Sequence, residues 1–501
     1  QVSAGERIVE QLRLGQGQFI SAQQQIGQAR DTLGRLIGAS STAGQEIVRS
    51  LEAYTRQLED LNAILLNSSD LLTDALGLNA ERNYLVLAQN SDEIRPAGGY
   101  ISTYGWLEVR NARIIDYDYS ATTERSPIPP SPQAATGIAV PAWWLQFESP
   151  IYAAWDGSWS PDFPTTAEMA AWYYDAGRNP HTPVDGVIAI DTVGFEYILA
   201  GLGTVVVPGY QEIVTPESFR EVVYKIRAEG AADLEHKRFL AALYRQILAD
   251  WQQVDQARGA ELVGAVLSAL QEKHIMLYFR DNEALNRAVD LLGWSGRQRP
   301  ATEYDYVMVV DANIGASKIG QSVTRHLTYD ANIQPDGSIA GRLTVAYDYF
   351  AAVAESDPAI RNGHYLDIDY DNLLQVFVPA RSTLTATDNI DYAVTTEQSD
   401  THTDFVVKTR VAYNSGERFQ FQYTTPRLVR ADGPYQHYRL LIQKQPGTRG
   451  DPVSVQVTLP PGARMVSATP EVLAGYELER QILEFRVTLS TDQWIDVYFT
   501  E

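Results

Sequence analysis

Residues 1–80 carry apolar side chains at spacings of four and seven in the first half and of alternating four and three in the second. In the first half Ile8, Leu12, Phe19, Ile26 and Leu33 recur, with Ala22 and Ala29 between them. In the second half Ile47, Leu51, Tyr54, Leu58, Leu61, Leu65 and Leu72 repeat the pattern. This period predicts two helices with a coiled-coil seam. Gly38-Ala39-Ser40-Ser41-Thr42-Ala43-Gly44 supplies residues that stop one helix and cap the next. A rise of about 1.5 Å per residue gives an antiparallel hairpin roughly 50 Å long. Two roles fit it equally: a stalk or oligomerisation handle, and a hairpin packed on its own chain.

From Tyr84 the period changes. Tyr84-Leu85-Val86-Leu87-Ala88 is a continuous apolar run, suited to a strand covered on both faces, and Tyr100 to Val109 reads as a second strand. Residues 120–165 form a long irregular excursion rich in Pro, Ser and Trp. Beyond it the pattern alternates. Strands are predicted at Val184 to Asp191, Thr204 to Val207, His274 to Phe279 and Tyr304 to Asp311. Helices are predicted from Thr165 or Thr166 to Tyr174, and at Val193 to Leu199, Pro216 to Arg227, Asp233 to about Leu270 and Asn282 to Leu292. Strands alternating with helices argue for an α/β sandwich. After about Arg325 the helical period vanishes. Pro335-Asp336-Gly337-Ser338 sits between alternating segments as a hairpin turn, and six further strands follow. The expected fold is α+β and multidomain: a helical hairpin at 1–80, an α/β domain at 81–323, and a β-sandwich of immunoglobulin-like type at 324–501, about one and a half such units.

Composition narrows the function classes. With 63 acidic against 40 basic residues the formal net charge is −23. No run of Lys and Arg offers a nucleic-acid face, and an acidic surface disfavours anionic headgroups. The chain has no cysteine, which excludes thiolate metal sites and cysteine nucleophiles. No stretch of about 18 apolar residues occurs, so the given chain spans no membrane. It begins at Gln1, which is expected to follow a removed signal or an anchor helix.

The segments Asn83-Tyr84-Leu85-Val86-Leu87-Ala88-Gln89-Asn90 and Glu93-Ile94-Arg95-Pro96-Ala97-Gly98-Gly99-Tyr100-Ile101 resemble the opening of the bacterial domain-of-unknown-function 4012 family. Trp159 to Pro164, Val184 to Asp191, Asp311 to Gly315 with Lys318, and Leu441 to Thr448 continue the resemblance in order. It implies a single N-terminal membrane anchor, a helical segment, the named domain and a β-rich tail outside the cell. A fainter resemblance, in Ile190 to Val207, links the domain to the LytR-CpsA-Psr phosphotransferases, which move glycopolymers from polyprenyl pyrophosphate carriers onto the cell wall. Arg95 stands roughly where one of their phosphate-binding arginines stands. Their Ser-Ile-Pro-Arg-Asp segment has no clear equivalent beyond Glu124-Arg125-Ser126-Pro127-Ile128-Pro129.

A diphosphate site needs several fixed cations and backbone donors. Arg95 beside Gly98 and Gly99, Lys318 and Arg125 are the candidates, against the reading that they are loop cations paired locally. No metal site is expected, and Mg²⁺ enters only for a phosphotransferase, with Asp92, Asp156, Asp162 and Asp191 at strand or loop ends. Trp143, Trp144, Trp155 and Trp159, with Phe147 and Tyr152, form either an aromatic ligand loop or a small satellite core, and the core is favoured. The expected function is a membrane-anchored surface protein with a structural or binding role in the bacterial envelope. The alternative is a protein that binds polyprenyl-pyrophosphate-linked glycan, or a phosphotransferase acting on it. The expected partners are a second copy or other envelope proteins, a polyprenyl-phosphate lipid or glycan, and the membrane through the anchor; nucleic acid is not among them.

Overall fold

The computed structural model describes residues 3–37, 42–122, 126–131, 140–144, 158–229, 235–315, 317–361, 368–473 and 482–500. Helices α1 (Ala4–Ile37) and α2 (Thr42–Ala75) each run for 34 residues and pack antiparallel. Asn62 Nδ2 donates to the Phe19 carbonyl at 3.1 Å, Arg30 pairs with Glu59 at 2.9 Å, and Arg13 donates to Thr73 at 3.3 Å. The hairpin is therefore present, but α2 turns a different face inward from the one its leucines predict. Val48, Thr55, Asn62 and Ser69, spaced by seven, are buried, whereas Leu51, Tyr54, Leu58 and Leu61 are exposed. The exposed row lies about 60° to 100° around the helix from the buried one, since Leu51 and Leu58 follow Val48 and Thr55 by three residues and Tyr54 and Leu61 precede Thr55 and Asn62 by one. The inner row is small and polar and so admits close approach of the helices. On α1, Leu12, Phe19 and Ile26 are half-buried and Leu33 is buried, but Ile8 is exposed.

The central sheet has the order β3-β2-β1-β4-β7, from β1 (Arg82–Asn90), β2 (Tyr100–Arg110), β3 (Arg113–Ala121), β4 (Gly186–Asp191) and β7 (Ile275–Phe279). Strands β1 and β4 are parallel and the other neighbours antiparallel. A two-stranded ribbon, β5 (Val205–Val206) with β6 (Ile213–Val214), lies apart. The apolar run in β1 is buried on both faces, as its pattern requires. Leu85 and Leu87 pack with Phe163, Ala167, Ala170, Ala171 and Tyr174 of α3 (Phe163–Ala176), while Val86 and Ala88 join Tyr244 and Leu248 on the other face. That second face is covered by α4 (Thr192–Leu202), α5 (Phe219–Glu229), α6 (Glu235–Trp251) and α7 (Gln256–Gln271). The single helix expected over 233–270 is thus two helices, because Asp255 accepts from Arg258 N and starts a new one. Helix α8 (Glu283–Leu291) precedes the second half of the molecule.

There the strands are β8 (Asp305–Asn313), β9 (Thr324–Ile333), β10 (Ile339–Tyr349), β11 (Tyr370–Pro379), β12 (Thr383–Asp388), β13 (Thr395–Gln398), β14 (His402–Val411), β15 (Ser415–Thr424), β16 (Arg430–Asp432), β17 (Tyr435–Ile442), β18 (Asp451–Thr458), β19 (Arg464–Thr469), β20 (Ile482–Leu489) and β21 (Gln493–Thr500). They form two sheets, β12-β15-β10-β9-β18-β20 and β13-β14-β11-β8-β17-β21-β19, with β16 on β17. One apolar core lies between the sheets. The β9–β10 hairpin turns at Pro335-Asp336-Gly337-Ser338 with Gly337 at φ +80°, as its sequence predicts. Two features differ from expectation. Strand β8, expected in the α/β domain, pairs with β11 and β17 instead; all nine of its residues are buried, so it needs a sheet covered on both sides. In place of antiparallel immunoglobulin-like units there is one sandwich with parallel pairs, β8 with β17 and β9 with β18.

The two halves meet at close-packed backbone. Gly447 has φ +86°, and a Cβ there would lie 1.9 Å from the Gly98 carbonyl oxygen. Gln445 Nε2 donates to the carbonyls of Arg95 at 3.3 Å and Asp311 at 2.8 Å, and Asn313 N donates to the Ile94 carbonyl at 3.0 Å.

Candidate functional site

A cavity of about 430 Å³ opens at the carboxyl ends of the parallel strands β1 and β4, the position at which open α/β sheets hold ligands. Ala88, Gln89 and Asn90 bring β1 to it, and Thr192 and Phe195 bring the start of α4. Helix α5 contributes Phe219, Arg220, Val223, Tyr224 and Arg227, and α6 contributes His236, Lys237 and Leu240. Lys318 reaches it from the segment between β8 and β9. Among the described lining residues are five cations, Arg95, Arg220, Arg227, Lys237 and Lys318, against two carboxylates, Asp92 and Glu93. In a chain of net charge −23 this local excess of positive charge is a property of the site. The remaining wall mixes apolar and aromatic side chains, Ala88, Tyr119, Phe195, Phe219, Val223, Tyr224 and Leu240, with polar ones that include Gln89, Asn90, Thr103, Thr192 and His236.

The turn after β1 fixes the carboxylates. Asn90 caps it by accepting from Asp92 N at 3.1 Å. Glu93 then receives Arg95 Nη2 on one oxygen at 3.1 Å and Lys318 Nζ on the other at 2.6 Å. Burial alone would raise the Glu93 pKa, but the two adjoining cations reverse that and hold it below its ordinary range. Arg95 is 2% exposed; it also donates to the carbonyls of Ile94 and Asn313, and its guanidinium lies 5.4 Å from the Tyr100 ring centre. Asp92 is buried. Its Oδ2 accepts from Tyr224 at 2.5 Å and from Arg220 at 3.0 Å, while its Oδ1 is buried without a hydrogen-bond partner. Arg220 also donates to both oxygens of Asp357 at 3.0 and 3.1 Å. Asp357 lies between the short helices α9 (Ala351–Ala354) and α10 (Pro358–Arg361), in the β10–β11 connection. Burial opposes charge on Arg220, but Asp92 and Asp357 outweigh it and raise its pKa.

Of the residues singled out in the sequence, Arg95 and Lys318 are brought together around Glu93. Gly98 and Gly99 do not line the cavity. They lie where Gly98 meets Gly447 and where a Cβ on Gly99 would come within 2.6 Å of the Asn90 backbone. Trp144 and Trp159 are buried in a satellite core with Tyr173, Ala312, Leu373 and Val406, and Trp143 packs against it; none of the three lines the cavity. Arg125, Trp155, Asp156, Phe147 and Tyr152 fall outside the described residues. Asp162 caps α3, accepting from Thr165 N at 3.2 Å. Asp191 caps α4, accepting from Gly194 N at 2.8 Å, and contacts His274 Nδ1 at 2.7 Å.

Arg220, Arg227 and Lys237 escaped the sequence reading. Their signal was present: Arg220, Val223, Tyr224 and Arg227 recur at helical spacing and so share one face. A second cluster, Glu108, Asp116 and His181, also went unforeseen. There the two His181 nitrogens face Glu108 at 3.3 Å and Asp116 at 3.1 Å, so each carboxylate has its own nitrogen. Magnesium would need several oxygen ligands in one place. In the cavity both Glu93 oxygens and Asp92 Oδ2 are taken by cations, which leaves Asp92 Oδ1 as the uncommitted carboxylate oxygen among the described residues.

The fold and the cavity define an α+β protein with a cation-lined pocket at the joint between a mixed sheet and a β-sandwich. Residues 79–225, which hold β1, the start of α4 and most of α5, match the model of a family described as "Protein of unknown function (DUF4012)", and this supports the family read from the motifs. No curated protein matches the chain. Among solved structures it is similar to a putative nutrient binding protein from Legionella pneumophila subsp. pneumophila str. Philadelphia 1, at 7% identity and TM-score 0.25 over 40% of this chain and 72% of that one. It is also similar to an M1 zinc metallopeptidase from Deinococcus radiodurans, at 11% identity and TM-score 0.19 over 40% of this chain and 42% of that one. Likenesses this slight bear on neither the fold nor the site.

Proposed function

We propose that this chain is the water-facing part of a membrane-anchored protein of the bacterial envelope, and that its central domain binds an anionic, phosphate-headed amphiphile without transforming it. The observation that carries the reading is the cavity lining, where Arg220, Arg227, Lys237 and Lys318 stand beside an apolar wall of Phe195, Phe219, Val223 and Leu240. Cations and hydrocarbon lining one cavity suit a molecule with a charged head and an apolar tail. The envelope setting comes from the family resemblance, and the faint likeness to the LytR-CpsA-Psr proteins suggests a polyprenyl phosphate or pyrophosphate as the occupant. A binding role is favoured over phosphotransfer because the cavity carboxylates are already engaged by Arg95, Lys318, Arg220 and Tyr224. Asp92 Oδ1 would then accept from a donor carried next to the headgroup.

Calorimetric titration with farnesyl pyrophosphate, inorganic pyrophosphate and farnesol tests this reading. Farnesyl pyrophosphate is expected to bind at least about tenfold more tightly than either half-molecule, a difference of about 1.4 kcal/mol. Equal affinity for farnesol would remove the cations from the account, and equal affinity for pyrophosphate would remove the apolar wall.

A further inference from the structure

Helix α2 carries two neighbouring heptad rows, and α1 occupies only one of them. Glu59, Asn62 and Thr73, which reach α1, belong to the row of Val48, Thr55 and Ser69. The neighbouring row is left facing water, with Leu51 47%, Tyr54 66%, Leu58 53% and Leu61 47% exposed. Four large apolar side chains in line on one helix are more than scattered surface residues. We propose that this row is a seam through which two copies of the chain associate, α2 against α2.

Three observations select a second copy over other occupants. The row keeps a strict alternation of three and four from Leu51 through Tyr54, Leu58 and Leu61 to Leu65, the 3.5-residue period that another helix matches by knobs-into-holes packing. An identical helix presents the same period automatically, as a two-fold interface requires. The flanking positions Thr55, Gln57, Asn62 and Ile64 carry no charge. Two molecules of charge −23 can therefore meet along this line without setting carboxylate against carboxylate, whereas acidic residues at those positions would repel. A lipid surface fits less well, since interfacial helices carry Lys and Arg along the flanks of the apolar face, and Glu52, Glu59 and Asp60 lie nearby instead.

Sedimentation equilibrium on the full chain, compared with the double variant Leu58→Gln and Leu61→Gln, tests the seam. Both side chains are exposed, so the variant is expected to keep its circular dichroism and melting temperature; Arg56→Gln, away from the row, serves as control. The wild type is expected to form dimers at micromolar concentration, and the double variant to raise the dissociation constant on the order of a hundredfold. A wild type that stays monomeric at about 100 μM, or a double variant that dimerises as well as the control, overturns the proposal. Monomers that bind neutral lipid vesicles through the same residues would likewise overturn it, by assigning the face to a lipid surface.

Discussion

Glu93 shows how one residue can set the character of a site. It sits between Arg95 and Lys318 with both oxygens occupied and is almost wholly buried. Replacing it by Gln keeps the shape but leaves two cations without their counter-charge, and uncompensated buried charge is costly. A loss of about 3–5 kcal/mol in urea denaturation is expected for Glu93→Gln, and a loss under about 1 kcal/mol would mean that Arg95 and Lys318 do not depend on it. His402 supplies a pH-dependent counterpart in the sandwich. Its Nε2 donates to the Arg299 carbonyl at 2.7 Å and its ring lies near Tyr306 and Phe377. Burial pushes its pKa down from 6.5 to about 4, so the folded state prefers the neutral ring. Its contribution is present above pH 6.5 and is lost as pH falls towards 4. His402→Gln should remove up to roughly 3 kcal/mol of the stability difference between pH 7 and pH 4, read from denaturation midpoints at each pH; an unchanged pH slope would contradict this. This titration is not legible in the sequence, because a lone histidine between Thr401 and Thr403 has no defined environment until Arg299 and Tyr306 pack on it.

Among the elements, those whose signal is local were legible. The apolar run of β1, the Pro-Asp-Gly hairpin of β9 and β10, and the cap-to-cap helices α4 and α8 appear within a few residues of their expected bounds, because period and turn chemistry act over short range. Long-range choices were not legible. Strand β8 follows a helix like any other strand of an alternating stretch, and nothing nearby shows that its partners are β11 and β17. The leucine row of α2 was visible as a heptad, but which helix it meets depends on the competing row of Val48, Thr55, Asn62 and Ser69. The glycine pair of the 91–99 turn is a candidate for phosphate-binding backbone in the sequence, whereas Gly98 meets Gly447 at the joint between the two halves and Gly99 packs on the Asn90 backbone. Gly447→Ala tests that joint: at φ +86° and 1.9 Å from the Gly98 oxygen, a methyl group must displace backbone. A loss exceeding about 2 kcal/mol is expected, with faster proteolysis between the halves. A neutral effect would show that the joint is not tightly packed.

For the molecule as a whole, the cavity belongs to neither half alone. Arg220 of α5 holds Asp92 at the end of β1 and Asp357 in the β10–β11 connection, so the pocket wall and the docking of the sandwich share one guanidinium. Arg95 and Lys318 are legible through motifs on either side of this joint, but Arg220, Arg227 and Lys237 are not, because they belong to no motif and only the packing of α5 and α6 brings them to the cavity. The most direct test uses Arg227 and Lys237, which line the cavity from α5 and α6. Titration of farnesyl pyrophosphate into the wild type and into the Arg227→Ala, Lys237→Ala double variant, at low and at high salt, isolates their charge. The double variant is expected to lose at least about tenfold in affinity and to show a weaker salt dependence than the wild type. Affinity and salt dependence unchanged by the double substitution would contradict the account.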